Sequence, residues 1–378
     1  MAGPLARWAL ALWVGVGALF VYKYGIRVTP WAGVLTLGYA ALAGYTLWAE
    51  QQGRVWRRWV LAAFGLWSVL LAVVCGLTDP DRLNVDRHSM VYAFWDAVLA
   101  GQHPLVARTH LGYTATAFPA LYFTLVPFYP LGWYALPTWL AVAAMGYWAY
   151  RHRATVRYSH VLALCVLSPA VAYEVVVRSS VLWNGALCLA LVLWLLPKLE
   201  RPHRTPLNLL ALGLVVGLGL FTRTLVAIPL AVVVGHLLRH WPPTRVLRWG
   251  LWVSVGATLA GVAQLLPLYL WDPELFQAQG PFARQARFLP SATLAALGVG
   301  AVAVGYGVAL PTAQARPRLV LWGGLYCLLV VGVYAGYVVA RVGWAETYPA
   351  NGLDISYFTF GLPLVAWGLA YRESLSPS

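Results

Sequence analysis

Asp79, Asp81, Arg82, Asp86, Arg87 and His88 fall close together in the stretch LTDPDRLNVDRHSMVYAFWDAVLAGQHPLVARTHLGY, Leu77 to Tyr113. Four of the chain's twelve acidic residues lie in that stretch. A carboxylate beside guanidinium groups can take a proton from a hydroxyl, and the guanidinium groups can hold anionic oxygens. The plainer alternative for each Asp is a solvated, salt-bridged turn or a helix N-cap. Asp96 sits further on, where it faces water more readily. His103 and His110 stand singly near turns. No His/Cys/Asp spacing marks a metal site, no cofactor is called for, and the need for a divalent ion is left open.

Within the stretch, Met90 to Gly101 reads as a short amphipathic helix. Val91, Phe94, Trp95 and Val98 form its apolar face, and Trp and Tyr suit a membrane interface. Such a helix lies on the bilayer surface and covers whatever cavity the scaffold leaves below.

That scaffold is apolar. Of 378 residues, 61% are hydrophobic and 10% charged, with mean hydropathy +0.69. Soluble domains carry about 25% charged residues. Runs of roughly 20 apolar residues recur along the chain, each long enough for a membrane helix, whereas a transmembrane barrel shows short alternating segments. The reading is an all-α polytopic bundle forming one membrane domain, 1–378. Twelve crossings are predicted: 8–22, 31–48, 59–77, one within 116–150, 159–177, 179–197, 207–222, 224–238, 249–271, 290–312, 319–339 and 355–371. The first is read as a retained span, since no small-x-small cleavage site follows it. Cys75, Cys165, Cys188 and Cys327 lie in apolar runs and read as small core residues.

The formal net charge of +14 is explained by basic loops, without nucleic acid. With a single crossing in 116–150, the clusters Arg54/Arg57/Arg58, Arg151/Arg153/Arg157, Lys198/Arg201/Arg204, Arg239/Arg245/Arg248 and Arg316/Arg318 share one face with Arg7 and Arg372. That places 16 of the 26 Lys and Arg on one side, predicted to be cytoplasmic together with both termini. Nine acids fall on or near the other face: Asp79, Asp81, Asp86, Asp96, Glu174, Asp272, Glu274, Glu346 and Asp354.

Two outer cations are not needed for orientation. Arg178 sits at the turn of YEVVVRSSVLWNGAL and Arg223 at the turn of GLFTRTLVAIP. A cation at an apolar turn calls for an acid, a lipid phosphate or a substrate. Glu174, one helical turn before Arg178, is the local candidate partner. Asn184 is polar within an apolar span, suited to a hydrogen bond between helices or to an acceptor. Arg341, Glu346, Tyr348, Asn351 and Asp354 make a second outer polar group. Gly213 and Gly217 suit close helix packing. There is no Gly-rich phosphate loop and no internal repeat of the transporter kind.

The segment VDRHSMVYAFWDAVLAGQHPL followed by FPALYFTLVPFYPLG resembles the first outer loop of the GT-C superfamily of integral-membrane glycosyltransferases, most of all the bacterial members that use polyprenyl-phosphate sugars. The resemblance covers Asp79 to Pro130 and extends loosely to the hairpins with Arg178–Asn184 and Arg223. It implies an inverting transfer of sugar from a polyprenyl-phosphate donor to a glycan, lipid or protein hydroxyl at the outer face of a bacterial inner membrane. Asp86 is the implied base, with Asp81 and Asp79 as alternatives. Arg178 and Arg223, helped by Arg82 and Arg87, are placed to hold the donor phosphate. His88, Tyr92 and Asn184 are placed toward sugar or acceptor. A membrane transporter or lipid flippase is the alternative, for which charges should line a path near the bilayer midplane.

Overall fold

The computed structural model describes the chain apart from residues 1–3, 53, 55–56, 116, 201–204, 286–288, 349–352 and 372–378. Arg201, Arg204, Asn351 and Arg372 therefore lie outside the described residues. The helices in chain order are α1 (Pro4–Gly25), α2 (Ala32–Gln51), α3 (Arg57–Leu77), α4 (Arg87–Leu99), α5 (Pro119–Leu125), α6 (Leu136–Arg151), α7 (Tyr158–Val166), α8 (Pro169–Val176) and α9 (Val181–Leu199). They continue with α10 (Pro206–Leu220), α11 (Ala227–His240), α12 (Pro243–Trp271), α13 (Pro273–Gln279), α14 (Pro281–Gln285), α15 (Ser291–Gly307), α16 (Thr312–Val342), α17 (Trp344–Thr347) and α18 (Leu362–Ala370). Two isolated β-bridges are the extended pairings among the described residues.

Six helices, α1, α2, α3, α9, α12 and α16, are long and apolar enough to cross a membrane, and α7 with α8 makes a seventh if the bent pair is one span. The remaining apolar helices, including α10, α11, α15 and the segment Ile355–Ala370, have 10 to 17 residues. The long helices carry apolar surface outward: Leu61, Leu66, Val69, Leu70 and Val73 on α3 are all exposed. A solvated helix does not present such a stripe, and lipid accommodates it.

The predicted span 159–177 is not one straight helix. It breaks at Leu167–Ser168 and bends by 68°. Pro169 has no N–H to give to the preceding turn and pushes Ser168 out of helical backbone. Ser168 then caps the new helix by accepting from Val171 N at 3.3 Å. Thr205 and Asp272 start α10 and α13 in the same way, each just before a proline. The region 116–150 folds as the short α5, a turn with φ +63° at Gly132, and the single 16-residue α6.

Small residues set the closest helix crossings. A Cβ on Gly213 would lie 2.3 Å from Val253 O, and one on Gly256 2.3 Å from Leu210 O, so α10 and α12 touch backbone to backbone. α11 and α15 do the same through Gly235 and Gly305. Without a hydrophobic force between helices in lipid, this close approach is a principal source of cohesion.

α9 runs through the core, with Leu182, Leu189, Leu195 and Leu196 fully buried, and its two ends mark two polar zones. At its C-terminal end Glu200 pairs with Arg316, and Arg245 donates to Leu199 O at 3.2 Å. At its N-terminal end gather the 77–115 loop, the turns at Arg178 and Arg223, the end of α12, and residues 353–357.

Candidate functional site

The loop after α3 opens with a tight turn. Asp79 accepts from Asp81 N at 3.1 Å and pairs with Arg82 at 3.2 Å. Both side chains are largely solvent-exposed, so this pair closes the turn on its outer side. Asp86 occupies the N-cap position of α4, but its side chain makes no cap. Its Oδ2 accepts from Thr109 Oγ1 at 2.9 Å instead, and Oδ1 has no hydrogen-bond partner among the described residues. Asp86 is thus a half-buried carboxylate, steered by one hydroxyl and with one oxygen free.

α4 stands where the sequence predicts a short helix from Met90 to Gly101, but it begins at Arg87 and buries Arg87, His88 and Ser89 of its first turn as well as apolar residues. Val91 and Phe94 are buried, and Phe94 stacks on Tyr122 of α5 with ring centroids 3.8 Å apart. The helix ends at Gly101, whose φ is +68°. Gly101 N donates to Val98 O and Gln102 N to Ala97 O, the paired bonds that close a helix around one left-handed residue. His103 then accepts from Leu105 N at 3.1 Å and donates from Nε2 to Leu268 O at 3.0 Å, tying the loop to α12. Thr114 donates to Gln279 on α13 at 2.9 Å.

Arg178 ends α8 with the same pair of bonds, Arg178 N to Val175 O and Ser179 N to Glu174 O. Here the left-handed position holds an arginine, at φ +52°. A side chain at that position costs about 1 kcal/mol or more relative to glycine. The cation is kept despite that strain, and its Nη2 donates to Cys75 O at 3.1 Å and Thr78 O at 3.2 Å. It therefore staples the start of the loop to the end of α3. Its Nε is buried with no partner. The expected pairing of Arg178 with Glu174 does not form. The left-handed turn points the guanidinium at α3, and the fully buried Glu174 accepts from Leu182 N at 3.1 Å through Oε2, leaving Oε1 unpartnered.

Arg87 and Arg223 come to the same ring from opposite sides of the chain. Arg87 lies 4.7 Å and Arg223 5.3 Å from the Tyr357 centroid. Arg87 also makes a short charged hydrogen bond to Asp354. Burial would raise the Asp354 carboxyl, but the Arg87 charge and the hydrogen bonds from Arg87 and Ser356 outweigh it and hold it at about 2. Arg223 has no carboxylate within salt-bridge distance among the described residues, and its Nε is buried without a partner. The charges of Arg223 and Asp86 both bear on the Tyr122 hydroxyl.

Asp81, His88 and His110 form a third group. Asp81 Oδ1 lies 2.9 Å from His88 Nε2 and 3.9 Å from His110 Nδ1. Burial holds the His88 imidazole below its ordinary pKa, against the Asp81 carboxylate, which favours its proton. These three side chains are the ones in this zone able to hold a metal ion.

Beside α4, an apolar groove of about 560 Å³ is lined by Phe94, Trp95, Phe123, Leu214 and Leu259, with Gln264 its polar member. The Gln264 Oε1 is buried and unpartnered.

The fold thus brings Asp81, Asp86, Arg87, His88, Arg178 and Arg223 to one end of the bundle. It places Asp79 and Arg82 on the exposed rim. Tyr92 donates to Gly132 O at 3.0 Å and packs edge-on against Tyr134. Asn184 is fully buried, its amide turned back to Ser180 O at 2.9 Å within its own helix, so it bridges no helices. Of the second outer group, Asp354 joins the site, Tyr348 turns inward to donate to Leu19 O at 2.8 Å, and Arg341 and Glu346 stay exposed. Sequence reasoning missed Tyr357, which lies inside an apolar run, and the grouping of His110 with Asp81 and His88.

No family model matches this chain, and neither a curated protein nor a solved structure matches it.

Proposed function

We propose that this protein is an inverting glycosyltransferase of the GT-C kind, moving a sugar from a polyprenyl-phosphate donor to an acceptor hydroxyl. The observation that carries this reading is the gathering of Arg87, Arg178 and Arg223 with the half-free carboxylate of Asp86 at one end of the bundle, the end where an apolar groove runs along α4. An enzyme joining a lipid-borne donor to a polar acceptor needs cations for phosphate, a base, and an apolar bed for the lipid. All three occur at this end of the bundle.

Asp86 is the base. An acceptor hydroxyl is a weak nucleophile until a positioned carboxylate takes its proton. Thr109 orients Oδ2 and leaves Oδ1 for that proton. As the glycosidic bond to phosphate breaks, positive charge develops at the anomeric carbon and negative charge on the leaving phosphate. The departing phosphate needs no proton. It needs donors, and guanidinium groups fit its oxygens. Arg223 supplies a charge with no carboxylate partner, while Arg87 is held by Asp354 and Arg178 by two carbonyls. Arg223 is accordingly the leading phosphate ligand, and the other two set the potential around it.

In this reading the chain crosses a bacterial inner membrane twelve times, counting the shorter apolar helices, with cytoplasmic termini and the site at the outer face. The partners are the lipid bilayer, the lipid-linked donor and a glycan, lipid or protein acceptor. The test is release of polyprenyl phosphate from a radiolabelled polyprenyl-phosphate sugar by the full-length protein in proteoliposomes, with membrane extract as acceptor source. Wild type releases it and Asp86→Asn does not. Equal release by the two proteins overturns the assignment.

A further inference from the structure

We propose that Asp81, His88 and His110 bind one divalent transition-metal ion, zinc by preference. This inference does not rest on glycosyl transfer, and its test requires no sugar.

The three ligand atoms, Asp81 Oδ1, His88 Nε2 and His110 Nδ1, all lie within 4.8 Å of one another. Bonds of about 2.0–2.1 Å to a tetrahedral zinc set ligand atoms roughly 3.4 Å apart. The 2.9 Å separation of Asp81 from His88 must open, and the 3.9 Å separation from His110 must close, each by about half an ångström. The third separation, His88 Nε2 to His110 Nδ1, is at most 4.8 Å and has to close by up to about 1.4 Å, through rotation of the two imidazoles.

The surroundings already orient the imidazoles as ligands. His110 Nε2 lies 2.9 Å from Leu83 O. A carbonyl only accepts, so Nε2 carries the proton and Nδ1 keeps its lone pair, which Ser89 Oγ meets and which lies on the side of Asp81. A ligating histidine characteristically gives its second N–H to a backbone carbonyl in this way. Ser89 Oγ lies 2.7 Å from that Nδ1 and 3.1 Å from Asp86 O. When an ion takes the lone pair, the hydroxyl proton has Asp86 O as its acceptor, so no polar group is stranded.

His88 is 1% exposed, and its Nδ1 has no partner. With the proton on Nε2, as the bond to Asp81 requires, a buried lone pair is wasted on Nδ1. Metal binding moves the proton to Nδ1 and gives Nε2 to the ion. One ring nitrogen is without a protein partner in either tautomer, and the metal bond is gained. Two imidazoles and one carboxylate form a set suited to zinc and its first-row neighbours rather than to calcium or magnesium. The Asp81 side chain is 67% exposed, so the ion keeps a coordination position facing solvent.

The experiment uses tag-free, full-length protein in detergent, stripped with chelator, dialysed, and titrated with zinc(II) and, separately, cobalt(II). Wild type should bind one zinc per chain and give the intense visible absorption of tetrahedral cobalt. Asp81→Asn changes an exposed residue and preserves the fold. It and His110→Ala should each weaken the tight site at least tenfold, while His236→Ala, at the opposite end of α11, leaves it intact. Absence of a stoichiometric site in folded wild type, or a site unchanged in Asp81→Asn and His110→Ala, overturns the proposal.

Discussion

Arg87, the first residue of α4, has its buried guanidinium paired with the half-exposed carboxylate of Asp354, which lies 267 positions later just before the final helical segment. A cation at a helix N-terminus opposes the helix dipole, so local helix formation does not account for Arg87. Its Asp354 partner and the Tyr357 face do. Removing Asp354 strands a buried cation, whereas removing Arg87 leaves a carboxylate that water still reaches. Asp354→Ala should therefore cost roughly 3 to 5 kcal/mol and Arg87→Ala less, and Arg87→Met with Asp354→Leu should recover most of the loss. Thermal unfolding of the four proteins in one detergent reads this directly.

The same pair sets an acid limit. Asp354 titrates at about 2 in the fold against an ordinary 3.8. A depressed carboxyl stabilises the fold where it is ionised in both states and ceases to do so once both are protonated. Its contribution is therefore complete above about pH 4 and is lost as pH falls through about 2. Melting temperature followed from pH 6 to 2 should drop more steeply in wild type than in the Arg87→Met, Asp354→Leu protein.

Asp86 and Asp79 should separate cleanly in function. Asp86→Asn should lower sugar transfer by about 10²- to 10⁴-fold while leaving the melting temperature near that of wild type. Asp79→Asn and Arg82→Ala, which dissolve an exposed pair, should each change stability by less than about 0.5 kcal/mol and leave transfer unaltered. Loss of transfer in Asp79→Asn alone would move the base to the rim of the site.

Arg223 is a half-buried cation without a carboxylate within bonding distance among the described residues, its Nε buried and unpartnered. An apolar side chain of similar length removes the cost of desolvating that cation and strands no opposite charge. Arg223→Met should therefore keep stability within about 1 kcal/mol of wild type while weakening polyprenyl-phosphate binding at least tenfold. Arg223→Lys should restore part of that binding, as a point charge lacks the guanidinium fork. Lipid-phosphate titration by intrinsic Trp fluorescence distinguishes the three proteins.

Helix crossings give a test independent of function. A Cβ on Gly305 would meet Val232 O at 1.8 Å, whereas one on Gly298, two turns earlier on α15, meets nothing within 4 Å. Gly305→Ala should destabilise by about 1 to 3 kcal/mol. Gly298→Ala should be neutral or up to about 1 kcal/mol stabilising, because alanine favours helix.

Much of the scaffold is legible in the chain. Apolar runs delimit most helices to within a few residues, and the spacing of Gly213 and Gly217 anticipates the contact of α10 with α12. The bend at Ser168–Pro169 was also written in the sequence, in a Ser–Pro pair inside an otherwise continuous run. The polar site was legible only by its parts. Asp86, Arg178 and Arg223 stand out because charge is rare here and each sits at a turn. Their partners do not. Thr109, Tyr357 and Asp354 are brought to them by helix packing across tens to hundreds of residues, which no local spacing encodes. His110 looked isolated because its neighbour Asp81 precedes it by a whole helix. Arg178 invited a local pairing with Glu174, and the left-handed turn that sends it to α3 is set by backbone bonds rather than by side-chain spacing.

Tyr348, Leu353 and Asp354 touch earlier parts of the molecule in more than one place. Tyr348 donates to Leu19 O, Leu353 O accepts from the buried Lys23 ammonium, and Asp354 holds Arg87. Synthesis on the ribosome proceeds from the amino end, so α1 and α4 are delivered to the bilayer long before these partners exist. Lys23 and Arg87 must wait, hydrated or borrowed by lipid headgroups, until the last hairpin arrives. Ordering of this end of the bundle is thus a terminal step of biogenesis, and a nascent chain halted before Asp354 carries its scaffold without the clasp that closes it.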